Sequence, residues 1–217
     1  MSGNGSTARV VGIDLGKQSD FTAISILDKI PTDDGGSEVH VQYLRRLRGV
    51  SYTAVVEEIA QMAEWPALDG CPFIVDATGL GRPVFDMLAQ RVRRVEALTI
   101  SSGNIVVKHG PREYSVPKAD LVGAMQVLVA GHRIKVGTHI PDAVAFIQEL
   151  TDFGYETSDA GRTSFNATGA GHDDLVLSVA LAAWKLQHGG RTGQIWMEAF
   201  RIRQETLHLD HRGTLRT

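Results

Sequence analysis

An α/β fold is predicted for this 217-residue chain: a mixed β-sheet with helices packed against it. Three observations predict it. The first half strings together β-branched runs separated by polar turns, and then alternates such runs with segments of helical spacing. Two of the runs, "ARVVGID" and "PFIVD", end in an aspartate with a glycine two or three residues beyond, at Asp14–Gly16 and Asp76–Gly79. The composition, 43% hydrophobic and 22% charged, is that of a globular domain long enough to bury a core.

Taken in order, "ARVVGIDLG" is the first strand and "FTAISILDKI" the second, joined by the turn "KQSD". "IPTDDGGSE" is a turn rich in Asp and Gly, and "VHVQYLRRLRG" alternates as a third strand. "SYTAVVEEIAQMAEW" shifts to helical spacing, with Ser51 at the N-cap and Pro66 closing it. "CPFIVDATGLG" reads as a buried strand running into a Gly-rich loop. "RPVFDMLAQRVRR" follows as a helix, and "VEALTIS" as the strand that completes a βαβ unit.

"GNIVVKHGPREYSV" has the form of a hairpin turning at "HGPRE". "PKADLVGAMQVLVAGHR" is a helix between Pro117 and Gly131. After it come a short strand "IKV", a helix "DAVAFIQELTDF", and a polar loop or weak hairpin "GYETSDAGRTSFNATGAG". "HDDLVLSVALAAWKLQH" is the last helix, with Leu175, Val179, Ala182 and Leu186 forming an apolar stripe. There is no internal repeat. Residues 1–188 are read as one domain, and 189–217 as a tail that is partly helical or disordered.

Several function classes are excluded or disfavoured by bulk properties. The single cysteine, Cys71, rules out an internal disulfide and a Cys-rich zinc site. The N-terminus lacks the apolar stretch of a secretory signal, and the run "LVLSVALAAW" is too short to span a bilayer, so a cytoplasmic location is expected. Net charge is −3, but unevenly spread: residues 185–217 carry +3 and the rest −6. An acidic body with local basic clusters is compatible with nucleic-acid binding if its acids hold metal ions.

The acids are placed for that. Side chains alternate along a strand, so Gly12 and Asp14 share one face, as do Ile74 and Asp76. If the two strands are neighbours, two carboxylates project together at one edge of the sheet. Asp173 and Asp174 lie in the first turn of the last helix, where the helix dipole favours anions. Packed on the sheet, that helix would aim one or both at Asp14 and Asp76. Carboxylates brought together this way repel unless cations intervene, and hard oxygen ligands select Mg²⁺ or Mn²⁺ over zinc. Taken singly, each of these aspartates reads more readily as a turn residue, a helix cap or a solvated first-turn acid than as a ligand; three such signals at sheet-facing junctions are what favour a metal site.

The segments "VVGIDLGKQSDFTAISIL", "FIVDATGLGRPVFDML", "VPKADLVGAMQVLVAGHRIKV" and "GHDDLVLSVALAAW" together resemble the nuclease domain of bacteriophage terminase large subunits, over roughly residues 8–188. The resemblance implies a ribonuclease H-like fold related to the RuvC-type resolvases, with a central mixed five-stranded sheet, flanking helices and an added β-hairpin. It implies Asp14, Asp76, Asp173 and Asp174 as catalytic metal ligands holding two Mg²⁺ or Mn²⁺ ions, and cleavage of double-stranded DNA. Lys118, where that family also tends to place a lysine, and His172 are candidates for contacting DNA or supporting the ligands. Lys108, His109 and Arg112, near the hairpin tip, are candidates for touching DNA. Such a nuclease would work with a terminase ATPase domain, a small subunit and a portal in the host cytoplasm, with no membrane involved. The chain lacks a G-x-x-x-x-G-K-[ST] loop, so ATP-driven packaging would belong to a separate domain. Either the sequence is the nuclease part of a longer protein or it is a free-standing relative.

Two other readings stand beside this one. "GIDLG" also begins the actin- and Hsp70-like ATPases, which need two such lobes. A non-catalytic DNA-binding or assembly module would keep the fold without cutting. Arg46 and Arg48 share a strand face opposite Arg45, the tail is mildly basic through Arg191, Arg201 and Arg203, and Trp65, Trp184 and Trp196 are expected to be core or packing residues and not base-stacking platforms.

Overall fold

The computed structural model describes residues 7–16, 20–79, 81–157, 163–167 and 172–188. The C-terminal tail, with Trp196 and Arg191, Arg201 and Arg203, lies outside the described residues.

Three strands open the chain as an antiparallel meander: β1 (Ala8–Asp14), β2 (Phe21–Pro31) and β3 (Ser37–Arg48). Helix α1 (Tyr52–Ala63) then crosses over, capped by Ser51, whose hydroxyl accepts from the Ala54 N–H. Strand β4 (Phe73–Asp76) lies parallel to β1 on the side away from β2. Helix α2 (Gly81–Ala89) leads to β5 (Val95–Ser101), parallel to β4. The expected hairpin forms as β6 (Val107–Gly110) and β7 (Glu113–Pro117). Helix α3 (Lys118–Ala130) starts at Pro117 and ends at Gly131. Strand β8 (Ile134–Val136), helix α4 (Ala143–Asp152), the separate hairpin β9 (Phe153–Thr157) and β10 (Thr163–Ala167), and helix α5 (Asp174–His188) complete the described chain.

The main sheet has eight strands in the order β6-β7-β5-β4-β1-β2-β3-β8. The expected five are its centre, β5-β4-β1-β2-β3. The hairpin is continuous with it, because β7 pairs in parallel with β5, and the three-residue β8 extends the other edge beside β3. Edge pairing of this kind is made by backbone groups, which is why side-chain patterning does not announce it.

Alternation along the strands sorts the core into two layers. Val11, Ile13, Ile24, Phe73, Val75 and Val95 face α1 and α2. Val10, Ala23, Leu44, Ile74, Leu98 and Val116 face α3, α4 and α5. Helix α5 is buried around most of its circumference and not on one stripe alone: Leu175, Val176, Val179, Ala180, Leu181, Ala183 and Trp184 are all buried. It is sandwiched between the sheet and α3 with α4, which explains the near-continuous apolar sequence. Gly12 is what permits this close approach. A methyl group there would overlap the Ser178 carbonyl oxygen and crowd Ala182. Trp184 is a core residue, and Trp65, 42% exposed, packs edge-on to Tyr43 at 6.1 Å.

Candidate metal centre

Strand order reverses at β1: the chain leaves it toward β2 and β3, then returns on the other side as β4. The carboxyl ends of adjacent parallel strands at such a reversal form a crevice where α/β proteins bind ligands. Asp14 and Asp76 close those two ends. The parallel register pairs Gly12 with Ile74 and Ile13 with Val75, so the next pair is Asp14 and Asp76. Both point to the face that carries α5, since Ile74 belongs to that core layer and Gly12 meets α5 directly.

Asp14 is 7% exposed. Burial pushes its carboxyl well above the usual range, and the charges of Asp76, Asp174, Asp173 and Glu149 push it further. Asp76 is raised by burial, an effect opposed by the Thr78 hydroxyl and N–H and by the charge of Lys118. One Asp76 oxygen accepts from the Thr78 N–H at 2.8 Å, while the Thr78 hydroxyl accepts from the Ile100 N–H at 2.9 Å. The loop "DATG" is therefore pinned to β5, and Asp76 is held by an Asx-type turn that leaves its other oxygen outside that bond.

Helix α5 begins at Asp174, and the Asp173 carbonyl accepts from the Leu177 N–H, so Asp173 occupies the cap position. Asp174 is 8% exposed, and its Oδ2 is buried with no hydrogen-bond partner. Burial, then the Asp173 charge, pushes this carboxyl up to about 6, with His172 opposing. The His172 Nδ1 lies 3.6 Å from Asp174 Oδ2, an ion-pair distance too long for a hydrogen bond.

The four predicted aspartates thus belong to one electrostatic cluster. Among the described residues no group of three or more His, Cys, Asp or Glu side chains stands in an arrangement that could hold a metal ion as placed. A buried carboxylate oxygen without a hydrogen-bond partner, beside carboxyls that raise one another, has the donor chemistry that a divalent hard cation takes.

Lys118 opens α3 directly after β7, near enough for its charge to favour ionised Asp76. The hairpin candidates are more distant. Lys108 pairs with Tyr114 and sits over its ring at 5.7 Å, three strands along from Asp76. His109 lies near the end of β6 and Arg112 in the turn after it, toward the amino ends of β4 and β5, and the Arg112 carbonyl accepts from the Ala97 N–H.

Glu149 is a component that sequence reading missed. It is 6% exposed on α4, and its Oε2 accepts from the Leu175 N–H at 2.9 Å and the Val176 N–H at 3.3 Å. Its Oε1 accepts from Arg46 at 3.0 Å. Burial pushes the carboxyl up to about 7, although the two N–H groups and Arg46 favour its ionised form. Glu149 therefore caps the first turn of α5 from a neighbouring helix and sets where Asp173 and Asp174 stand. A signal existed: Ala143, Phe146 and Glu149 follow one another at intervals of three, placing an acid on an apolar helix face.

Comparison with known proteins gives a consistent picture. No family model matches the chain. The terminase large subunit of Thermus phage G20c is 25% identical over 184 residues, which is 84% of this chain and 32% of that relative. The chain therefore spans about a third of the length of the curated relative it matches. Among solved structures, the large terminase nuclease of phage G20c with bound magnesium superposes with a TM-score of 0.59 at 24% identity, covering 83% of this chain and 82% of that one. The large terminase nuclease domain of bacteriophage SPP1 with bound manganese gives a TM-score of 0.53 at 14% identity, covering 81% and 84%. The fold is thus the ribonuclease H-like fold of the large terminase nuclease domains.

Proposed function

We propose that this chain, similar in sequence and fold to terminase nuclease domains, is a divalent-metal-dependent endonuclease that hydrolyses phosphodiester bonds of double-stranded DNA. The observation that supports the reading is the charge coupling of Asp14, at the carboxyl end of β1, with Asp76 at the end of β4 and with Asp173 and Asp174 at the start of α5, together with a buried Asp174 oxygen that has no hydrogen-bond partner. Magnesium and manganese are bound by the similar nucleases of phages G20c and SPP1.

Asp14, rigid at a strand end and buried, would be the central ligand, with Asp76 on one side and the α5 pair on the other. When bound, two such ions supply Lewis-acid polarisation of the phosphate and activation of a water for in-line attack. The chain's own groups position. Thr78 fixes Asp76, Glu149 fixes the start of α5, and Lys118 brings positive charge toward the same edge. No protein nucleophile is needed. Contacts of this kind fall on phosphates, so weak sequence selectivity is expected. In the setting of a packaging terminase, the partners would be an ATPase domain, a small subunit and a portal in the host cytoplasm. No helix among the described residues is long and apolar enough to cross a membrane.

The test is supercoiled plasmid incubated with the protein plus Mn²⁺, Mg²⁺ or EDTA, beside Asp76→Ala. Nicking that needs metal and disappears in the variant supports the nuclease. Absence of cutting with every metal overturns it, and ATP hydrolysis in that case points to the actin-like alternative.

A further inference from the structure

Arg46 and Arg48 are left over from the metal cluster, and the register shows where they stand. Asp14 pairs with Ala23, and Ala23 pairs with Arg46, so the row Asp76–Asp14–Ala23–Arg46 runs straight across four strands. Residues opposite one another in a ladder point to the same face, so Arg46 emerges beside the carboxylates, about 10 Å from Asp14 at two strand spacings. Ala23 is the small residue between them. Phe21 pairs with Arg48 one step further toward the mouth of the crevice, on the same face.

Three cationic or ionisable groups gather on the Phe21 ring. The Arg46 guanidinium lies 4.7 Å from its centroid and that of Arg48 5.2 Å. The His172 ring stands edge-on at 4.9 Å, with its Nδ1 turned toward Asp174. Arg46 spends one N–H on Glu149. Arg48 is exposed and has no carboxylate within ion-pair distance among the described residues. Contrast Arg45, on the other face, which is paired with Glu58 at 2.8 Å. A guanidinium that rests on an aromatic ring keeps its edge donors directed outward, and that edge matches a phosphate.

We infer that Arg48, seated on Phe21 with Arg46 behind it, is a phosphate-binding subsite for the DNA backbone a few nucleotides from the bond that is cut. The position of the subsite rests on the nuclease reading; its capacity to bind a phosphate does not. Aromatic seating holds the charge at a fixed distance from the acidic cluster, so one backbone can touch cations at Arg48 and metal ligands at Asp14 together.

The experiment measures binding of a short labelled duplex of mixed sequence across about 50 to 200 mM salt, and Mn²⁺-dependent cleavage, for wild type, Arg48→Gln and Arg48→Lys. Arg48→Gln is expected to weaken binding and raise KM about 5-fold, leave kcat within about 2-fold, and flatten the log–log salt slope by about 1. Arg48→Lys should recover most of the slope. Unchanged affinity and slope in Arg48→Gln overturn the inference, as does a loss of thermal stability with the slope intact, which would mean a packing role. If wild type binds duplex through Arg48 yet never cuts with any metal, the subsite stands and the nuclease reading falls.

Discussion

Asp14 is a buried carboxyl whose ionisation is disfavoured first by burial and then by the charges of Asp76, Asp174, Asp173 and Glu149. In the absence of a cation such a residue costs stability, which is the usual trade at a site built for binding. Asp14→Asn keeps the shape and removes the charge. At pH 8 in EDTA the variant should melt higher than wild type by several degrees, corresponding to roughly 1–3 kcal/mol for relieving a poorly accommodated buried group. Its Mn²⁺-dependent rise in Tm and its plasmid nicking should both disappear. A variant that melts lower in EDTA would mean that Asp14 is a structural carboxylate. The residue scale also shows the limit of motif reading. Asp14, Asp76 and the Asp173–Asp174 pair announce themselves by junction position. Glu149 and Arg48 do not, because a glutamate in "FIQEL" and an arginine in "YLRRLR" look like ordinary helix and strand residues until the packing is known.

Helix α5 carries half of the acidic cluster, and it reaches the sheet only because Gly12 leaves room for Ser178 and Ala182. Gly12→Ala should lift the helix, cost about 1–3 kcal/mol as overpacking does, and reduce cleavage even where the protein is fully folded. Gly123, inside α3, has nothing near its would-be methyl group, so Gly123→Ala should be neutral or stabilising by about 0.5–1 kcal/mol. Urea midpoints of the two variants check both statements, and equal effects would sink the distinction. The elements themselves were largely legible. Ser51, Pro117 and Gly131 mark helix ends, apolar runs mark β1, β2, β4 and β5, and alternation marks β3. What was not legible was joining: that the hairpin and β8 extend one sheet to eight strands, and that α5 is enclosed on several sides. Both depend on backbone pairing and layer packing, which no single segment encodes.

Across the whole molecule the raised carboxyls couple stability to pH and to metal. Asp174 moves from an ordinary 3.8 to about 6 and Glu149 from 4.5 to about 7 on folding. Between those values the folded chain holds more protons than the unfolded one, so stability falls as pH rises. The contribution is complete below about pH 4 and is lost as pH climbs through about 6 to 7. In EDTA, Tm should therefore fall between pH 5 and pH 8, by an amount on the order of several degrees for a domain of this size. A divalent cation binds the ionised carboxylates and the folded state only, so it should reverse this trend: the Mn²⁺-induced rise in Tm should be small at pH 5 and grow toward pH 8. Scanning calorimetry at several pH values, with EDTA and with Mn²⁺, reads both trends in one series. Asp174→Asn should flatten the EDTA trend and shrink the Mn²⁺ increment together, because one residue contributes to both. If the Mn²⁺ increment were independent of pH, the ion would be binding somewhere other than this cluster.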